Sequence, residues 1–273
     1  MQILVTVKEV GQLGDEVVIE DGEIAESALE YDLNEWDEYA LESAVQLSEA
    51  YDDVEVVTAT IGPERSDETI RMALAKGADR AVRIWDDALT ADGAGDETPA
   101  DGLLDTRVRV ELLSAIVERE EPDLVLSGVQ SADAAFASTG VALAEEIDDA
   151  WAAVVNDLEV DPDAGTASVH RELEGGIEEL TDVPLPAVLT IQTGINEPRY
   201  ASLRGIRQAQ SKELTVLDLD DLGIGTDAVT GALETTALYE PETTSDATIW
   251  EGDAESTAGE LAAFLRDSGV IEG

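Results

Sequence analysis

The chain has 273 residues, 63 acidic against 15 basic, with a formal net charge of −48 at pH 7. That balance sets nucleic acid aside as a partner, because phosphate binding needs clustered Lys and Arg, and the absence of cysteine excludes disulfides, thiol catalysis and thiolate metal sites. An apolar content of 44% in periodic segments argues for a folded core over acidic disorder, with the self-repulsion screened in a salt-rich cytoplasm, where the Debye length is about 3 Å at 1 M.

Met1 leads straight into Ile3-Leu4-Val5-Thr6-Val7, too short for a signal-peptide core and with no basic segment before it. No apolar run approaches the roughly 20 residues of a membrane span, so the expectation is a cytoplasmic protein that is not membrane-embedded. Apolar runs at residues 3–7, 54–61, 81–85 and 124–128 read as strands separated by helix-period segments. The first helix is expected over residues 35–50, with Asn34 as its cap and Leu41, Ala44, Val45 and Ser48 on one side. A second runs over 66–76, capped by Ser66 and stopped by Gly77. A third, over 106–120, carries the stripe Leu112, Leu113, Ile116 and Val117, and a fourth begins near Ser138 and ends near Ile147. Residues 86–102, rich in Asp, Gly and Ala, read as a solvated loop. The alternation predicts an α/β fold, a Rossmann-like parallel sheet flanked by helices.

Farther on, Val169-His170-Arg171-Glu172-Leu173-Glu174-Gly175-Gly176-Ile177-Glu178-Glu179-Leu180 has two alternating runs about a Gly-Gly turn, a β-hairpin insertion, and residues 185–191 form a buried strand after it. At about Leu214 the chain changes to short apolar stretches between Thr, Glu and Pro, an extended C-terminal arm ending in a helix over 257–267 with Leu261 and Leu265. An arm bearing Leu217, Leu219, Leu222, Ile224, Leu233, Leu238, Tyr239 and Trp250 exposes too much apolar surface alone, so it is expected to lie on another subunit. The expected domains are therefore an α/β nucleotide-binding domain at 1–213 and the arm at 214–273.

Candidate sites fall where strands end. Gly128-Val129-Gln130-Ser131-Ala132-Asp133 to Gly140 follows a strand and opens a helix, where α/β sheets bind phosphate on backbone amides. It has neither GxGxxG nor a Walker Lys, so from pattern alone a plain strand-to-helix loop stands beside the nucleotide reading. Thr6-Val7-Lys8, Asn34 to Ala40 and Ile61-Gly62-Pro63 share that edge of the sheet. His170 is the single histidine and reads as a strand residue; without a second His or a Cys there is no hydrolytic triad or zinc site.

Three blocks, Arg171-Glu172-Leu173-Glu174-Gly175-Gly176-Ile177-Glu178, Leu185-Pro186-Ala187-Val188 and Asn196-Glu197-Pro198-Arg199-Tyr200, resemble the signature of the β subunit of electron transfer flavoproteins. Blocks at Gly62 to Glu64, Glu68 to Arg71 and Ala75 to Arg80 extend the resemblance over residues 1–224. It implies an adenine nucleotide alpha hydrolase-like fold and an electron carrier, not itself an enzyme, that shares FAD with an α subunit. Electrons would come from acyl-CoA or other flavin dehydrogenases and pass to a membrane quinone oxidoreductase.

The resemblance also implies AMP on the loop, with Gly128, Gln130, Asp133 and Gly140 matching the pattern and Ala137 within it. Val129 replaces the usual Lys and Ser138 the usual Gln, leaving amides plus Ser138 and Thr139 hydroxyls as donors. Thr6, Ile61 and Gly62 would edge the pocket. Asn34 would hydrogen-bond the nucleotide side, or serve as a helix cap only; Trp36 would approach the flavin, or be an ordinary aromatic. Glu172 would pair with an arginine of the α subunit and orient the flavin domain, or be solvated charge. Tyr200, Leu203 and Ile206 would dock partner dehydrogenases with Leu203 as the anchor, although Arg204 and Gln208 replace the usual Pro and Lys. Two other readings stand beside this one. The first is a bifurcating β subunit that holds a second FAD in place of AMP and uses NADH, which residues 34–40 and Ala137 suit while Ser138 and the missing Pro-Asp after Lys8-Glu9-Val10 do not. The second is a stand-alone adenine-nucleotide-binding sensor or hydrolase.

Overall fold

The computed structural model describes residues 1–14, 18–20, 23–90, 105–231, 237, 239 and 247–271. Two compact units divide the chain, Met1–Leu238 and Tyr239–Gly273.

The first unit grows from β1 (Gln2–Thr6), in which Ile3, Leu4 and Val5 are all fully buried. Successive side chains of a strand point to opposite faces, so a run apolar at every position suits a sheet covered on both sides. Ile3 and Val5 enter one core cluster and Leu4 the other. Next comes a small antiparallel pair, β2 (Glu9–Leu13) with β5 (Leu29–Leu33), with β3 (Ile19–Glu20) and β4 (Glu23–Ile24) paired between them. Sequence reasoning passes over these four strands because they are short and carry Glu, Asp and Gly, residues that disfavour strands.

The helix of residues 35–50 forms as expected: α1 (Glu35–Ala50) buries Leu41, Ala44 and Val45, the larger Leu41 and Val45 contributing about 1.5–3 kcal/mol each. β6 (Glu55–Ile61), α2 (Asp67–Lys76), β7 (Arg80–Ile84), α3 (Thr106–Glu120), β8 (Leu124–Gly128) and α4 (Thr139–Ile147) continue the alternation. α1 and α2 cover one face through Leu41, Ile70 and Leu74, and α3 and α4 the other through Leu112, Ile116 and Leu143. Gly77 stops α2 at φ 141°, where a Cβ would also come within 2.8 Å of Val45. Asn34 and Ser66 occupy the N-cap positions, yet neither side chain caps its helix. Ser66 Oγ donates instead to Glu9 Oε1 at 3.0 Å. The solvated stretch expected over 86–102 is described only as far as residue 90, where Asp86 caps the 3₁₀ turn Asp87–Leu89; its remainder lies outside the described residues.

β9 (Ala150–Asp161), β10 (Thr166–Leu173), β11 (Ile177–Pro184) and β12 (Ala187–Ile191) follow. The hairpin of β10 and β11 turns at Gly175 and Gly176, whose φ values of 79° and 74° lie in the region that favours glycine. β9 has no counterpart in the sequence reading. Its period of two is broken near Val154, at φ 62°, where the register against β12 shifts between Leu189 and Ile191. The described residues form a nine-stranded sheet in the order β11-β10-β9-β12-β8-β1-β6-β7, closed by a last strand β13 (Leu214–Leu217) that follows α5 (Leu203–Ala209). From β9 to β13 the neighbours run parallel; β10 and β11 extend the sheet antiparallel.

Residue 214 therefore begins a strand and not an arm. Leu217, Leu219 of α6 (Leu219–Leu222) and Val229 are buried in the core, with Leu222 and Ile224 packed against it. Four residues are too few for a pattern to show. Leu233 and Leu238 lie outside the described residues. In the second unit α7 (Ala254–Asp267) buries none of its residues, and Trp250 meets Phe264 edge-on with centroids 5.6 Å apart. None of the described helices is long and apolar enough to cross a membrane.

Candidate functional site at the sheet's switch point

β1 lies between β6, the next strand the chain adds to this sheet, and β8, which it reaches only after β7 has been laid outside β6. The strand order reverses there. Open α/β sheets receive ligands in the crevice beyond the carboxyl ends of strands at such a point. Thr6 ends β1, Ile61 ends β6 and Gly128 ends β8, so the sequence candidates from three strands share one edge.

Asp37, in the first turn of α1, is 4% exposed and joins the two strands across the crevice. Its Oδ2 accepts from the Lys8 amide at 2.8 Å and its Oδ1 from the Gly128 amide at 3.1 Å. Burial pushes this carboxyl up to about 7, against the opposing pull of those two amides and of Lys8. Sequence reasoning missed Asp37, one acid among 63; its one signal is an acid on the buried side of an amphipathic helix. Gly128 must be glycine, since a Cβ would lie 2.5 Å from Asp37 Oδ1 and 2.6 Å from Trp36 Cβ.

The loop after β8 is held from below. Asn34, 1% exposed, donates through Nδ2 to the Gln130 carbonyl at 2.9 Å and accepts through Oδ1 from the Ala132 amide at 3.2 Å. Its amide is thus spent on the loop backbone. Lys8 Nζ binds Asp133 Oδ1 at 2.6 Å and reaches Ser131 Oγ at 3.2 Å. Burial acts to raise the Asp133 carboxyl, but the Lys8 hydrogen bond and charge prevail and hold it below the usual range. Burial dominates at Lys8 and lowers its ammonium in spite of Asp133. Ala135 and Ala137 take the left-handed conformation, at φ 53° and 51°, each costing about 1–2 kcal/mol for a residue with a Cβ. That strain turns the chain into α4.

Ser138 occupies the N-cap of α4 but makes no cap. Its hydroxyl lies 3.1 Å from Thr106 Oγ1, which also accepts from Arg109 Nη2 at 3.1 Å. Thr139 opens the helix, and Gly140 packs so closely that a Cβ would sit 2.5 Å from Thr190 Cγ2. At the rim Trp36 is half-buried, its indole N–H donating to Gln192 Oε1 at 3.2 Å. Gly62 is covered by Ser66, and its carbonyl accepts from Arg83 at 3.2 Å.

A second constellation surrounds α5. Tyr200 is 96% exposed, Leu203 77% and Ile206 40%; Leu203 and Ile206 stand in solvent on α5, and Tyr200 in the segment that leads into it. The backbone beneath is fastened tightly. Arg71 Nη1 donates to the carbonyls of Ala209 and Lys212, both at 2.8 Å, Lys76 to that of Arg199 at 3.1 Å, and Lys212 returns to that of Leu74 at 3.1 Å. Arg199 pairs with Glu42 at 2.7 Å and Glu49 at 2.6 Å, while Asn196 donates to the Tyr39 carbonyl and Ser43. A Cβ on Gly205 would collide with the Ala75 carbonyl, so α5 lies directly on α2. Glu172 is elsewhere, exposed near the tip of the hairpin opposite Glu178, and the structure does not bring it to the crevice. His170 is a strand residue of β10 with Nε2 3.5 Å from Glu178.

The electron transfer flavoprotein domain family matches residues 21–222. The chain is 43% identical to the electron transfer flavoprotein subunit beta of Methylophilus methylotrophus, over 98% of each chain. It is 32% identical to the subunit beta of Bacillus subtilis, over 99% of this chain and all of that one, and 30% identical to that of Bos taurus, over 99% of each.

Proposed function

The chain belongs to the electron transfer flavoprotein family as a β subunit, and from that premise we propose that it works in a heterodimer with an α subunit, relaying electrons from flavin dehydrogenases, acyl-CoA dehydrogenases among them, toward a membrane quinone oxidoreductase. The FAD, held mainly by the α subunit, supplies the redox chemistry; this chain supplies packing, electrostatics and docking. In this reading it is an electron carrier and not itself an enzyme.

The single observation that supports nucleotide binding best is the loop of residues 128–140, anchored by Lys8, Asn34 and Asp37 at the switch point and turned by two left-handed alanines into a helix start. Those residues fit the anionic end of AMP. Ser138, Thr139 and Gly140 would meet the phosphate with amides and hydroxyls in the field of the α4 dipole, and Gln130, Ala137 and Asp133 would flank it. Thr6, Ile61 and Gly62 would border the adenosine, with Asn34 keeping the loop in place. Trp36 would face the flavin from the rim. On the hairpin, Glu172 would pair with an arginine of the α subunit. The exposed Tyr200, Leu203 and Ile206 support docking, Leu203 serving as the anchor. α7, which buries none of its own residues, would pack on the α subunit.

The test is to purify the complex in concentrated salt, denature it and count the released nucleotides by absorbance and mass. One FAD and one AMP per heterodimer is the expected result. Two FAD would replace AMP by a second flavin and favour bifurcation, and a lone chain carrying neither FAD nor AMP would overturn the carrier reading in favour of a stand-alone sensor.

A further inference from the structure

Arg109 is half-buried on α3, beside the same loop, and in an unusual state for this chain. Most of its basic residues are spent on carboxylates or carbonyls: Lys8 on Asp133, Arg65 on Glu9, Arg80 on Glu55 and Glu120, Arg83 on Asp67, Arg199 on Glu42 and Glu49. With 63 acids available, a desolvated guanidinium is easily given a partner. Among the described residues, however, no carboxylate lies within ion-pair distance of Arg109. Its Nε is buried without a hydrogen-bond acceptor, and Nη2 has only the neutral Thr106 hydroxyl, at 3.1 Å.

Its surroundings explain the arrangement. Lys8, Asp133 and Asp105 are the charged groups close enough to act on Arg109, and Asp133 is already engaged by Lys8 at 2.6 Å. Thr106 links Arg109 to Ser138, so the guanidinium is tied through one hydroxyl to the residue just before α4. Burial holds the guanidinium below its usual range, the mark of a cation whose desolvation is not repaid by an adjacent anion. A planar fork with spare donors matches a phosphate oxygen pair.

We propose that Arg109 is the cation that recognises the phosphate of the bound adenine nucleotide, reaching it from α3 across the Thr106 and Ser138 hydroxyls. This rests on the nucleotide reading above. It supplies from a neighbouring helix the positive charge that the loop itself lacks, since Val129 carries none and Lys8 is held by Asp133. The same chemistry serves AMP or the pyrophosphate of a second FAD.

The test uses the purified heterodimer, stripped of its β-subunit nucleotide and titrated calorimetrically with AMP, adenosine and FAD at one fixed salt concentration. The wild type should bind AMP more tightly than adenosine. Arg109→Gln should weaken AMP roughly ten- to a hundredfold while leaving adenosine unchanged, as expected for loss of a charge-assisted hydrogen bond. Arg109→Lys should recover part of the loss, and Thr106→Val, which frees the fork, should show a smaller one. A loss confined to FAD would keep Arg109 as the phosphate ligand and identify a flavin as the occupant. Wild-type AMP and FAD affinity in Arg109→Gln would overturn the proposal and leave the nucleotide reading intact, whereas a wild type that binds none of the three would overturn that reading and this proposal with it.

Discussion

Asp37 shows how much one side chain carries. It accepts from the ends of β1 and β8 at once, and its carboxyl is pushed up to about 7 by burial. The folded-state pKa lies above the unfolded one, so the folded protein holds the proton more tightly and this group's contribution is fully present below about pH 4. It is lost as pH rises toward 7, by up to roughly 4 kcal/mol at 1.36 kcal/mol per unit. Asp37→Asn removes the titration, and Asn can accept from just one of the two amides, which costs about 1–3 kcal/mol. The stability advantage of the wild type over this variant should therefore shrink between pH 5 and pH 7.5, read from denaturant midpoints at constant salt. A difference that stayed flat across that range would mean that Asp37 is charged throughout.

At the scale of elements, α5 is an exposed apolar patch on a rigid mount. Leu203 is 77% exposed, so Leu203→Ala should leave the unfolding midpoint nearly unchanged while slowing flavin reduction by dehydrogenases about tenfold, the usual effect of a docking anchor. Lys212→Met, which removes the ties to the α2 carbonyls, should lower both quantities. Full electron transfer from every native dehydrogenase in the leucine variant would sink the docking reading. Much of this architecture was legible in the sequence. The bounds 35–50 and 106–120 agree with α1 and α3 because strong apolar stripes run uninterrupted through both. β9 escaped notice because the bulge at Val154 breaks its alternation, and β13 because four residues carry no period. The loop of residues 128–140 was legible as a candidate site by its position after a strand, but Asp37 and Arg109 were not. Their roles depend on which neighbours lack a partner, and that is a property of packing, not of spacing.

Across the whole molecule, a charge of −48 is little offset, because the chain has 15 basic residues against 63 acidic ones and its three lysines are all bound to carboxylates or carbonyls. Mutual repulsion of surface acids weakens as the Debye length contracts from about 10 Å at 0.1 M to about 3 Å at 1 M. The thermal midpoint should rise steeply as potassium chloride increases from 0.2 to 3 M, followed by circular dichroism; a midpoint independent of salt would show that the acids are stabilised by something other than screening. Helix α1 has a separate effect at this scale. Its first turn fastens the start of the loop of residues 128–140 through Asp37, and its next two turns fasten the segment that leads to α5 through Tyr39, Glu42 and Ser43. One rigid rod is thus the common footing of both candidate sites. On the proposed function, a substitution within residues 37–43 is expected to shift nucleotide affinity and partner docking together, and the two would be dissected one at a time from outside it, at Arg109 on one side and Leu203 on the other.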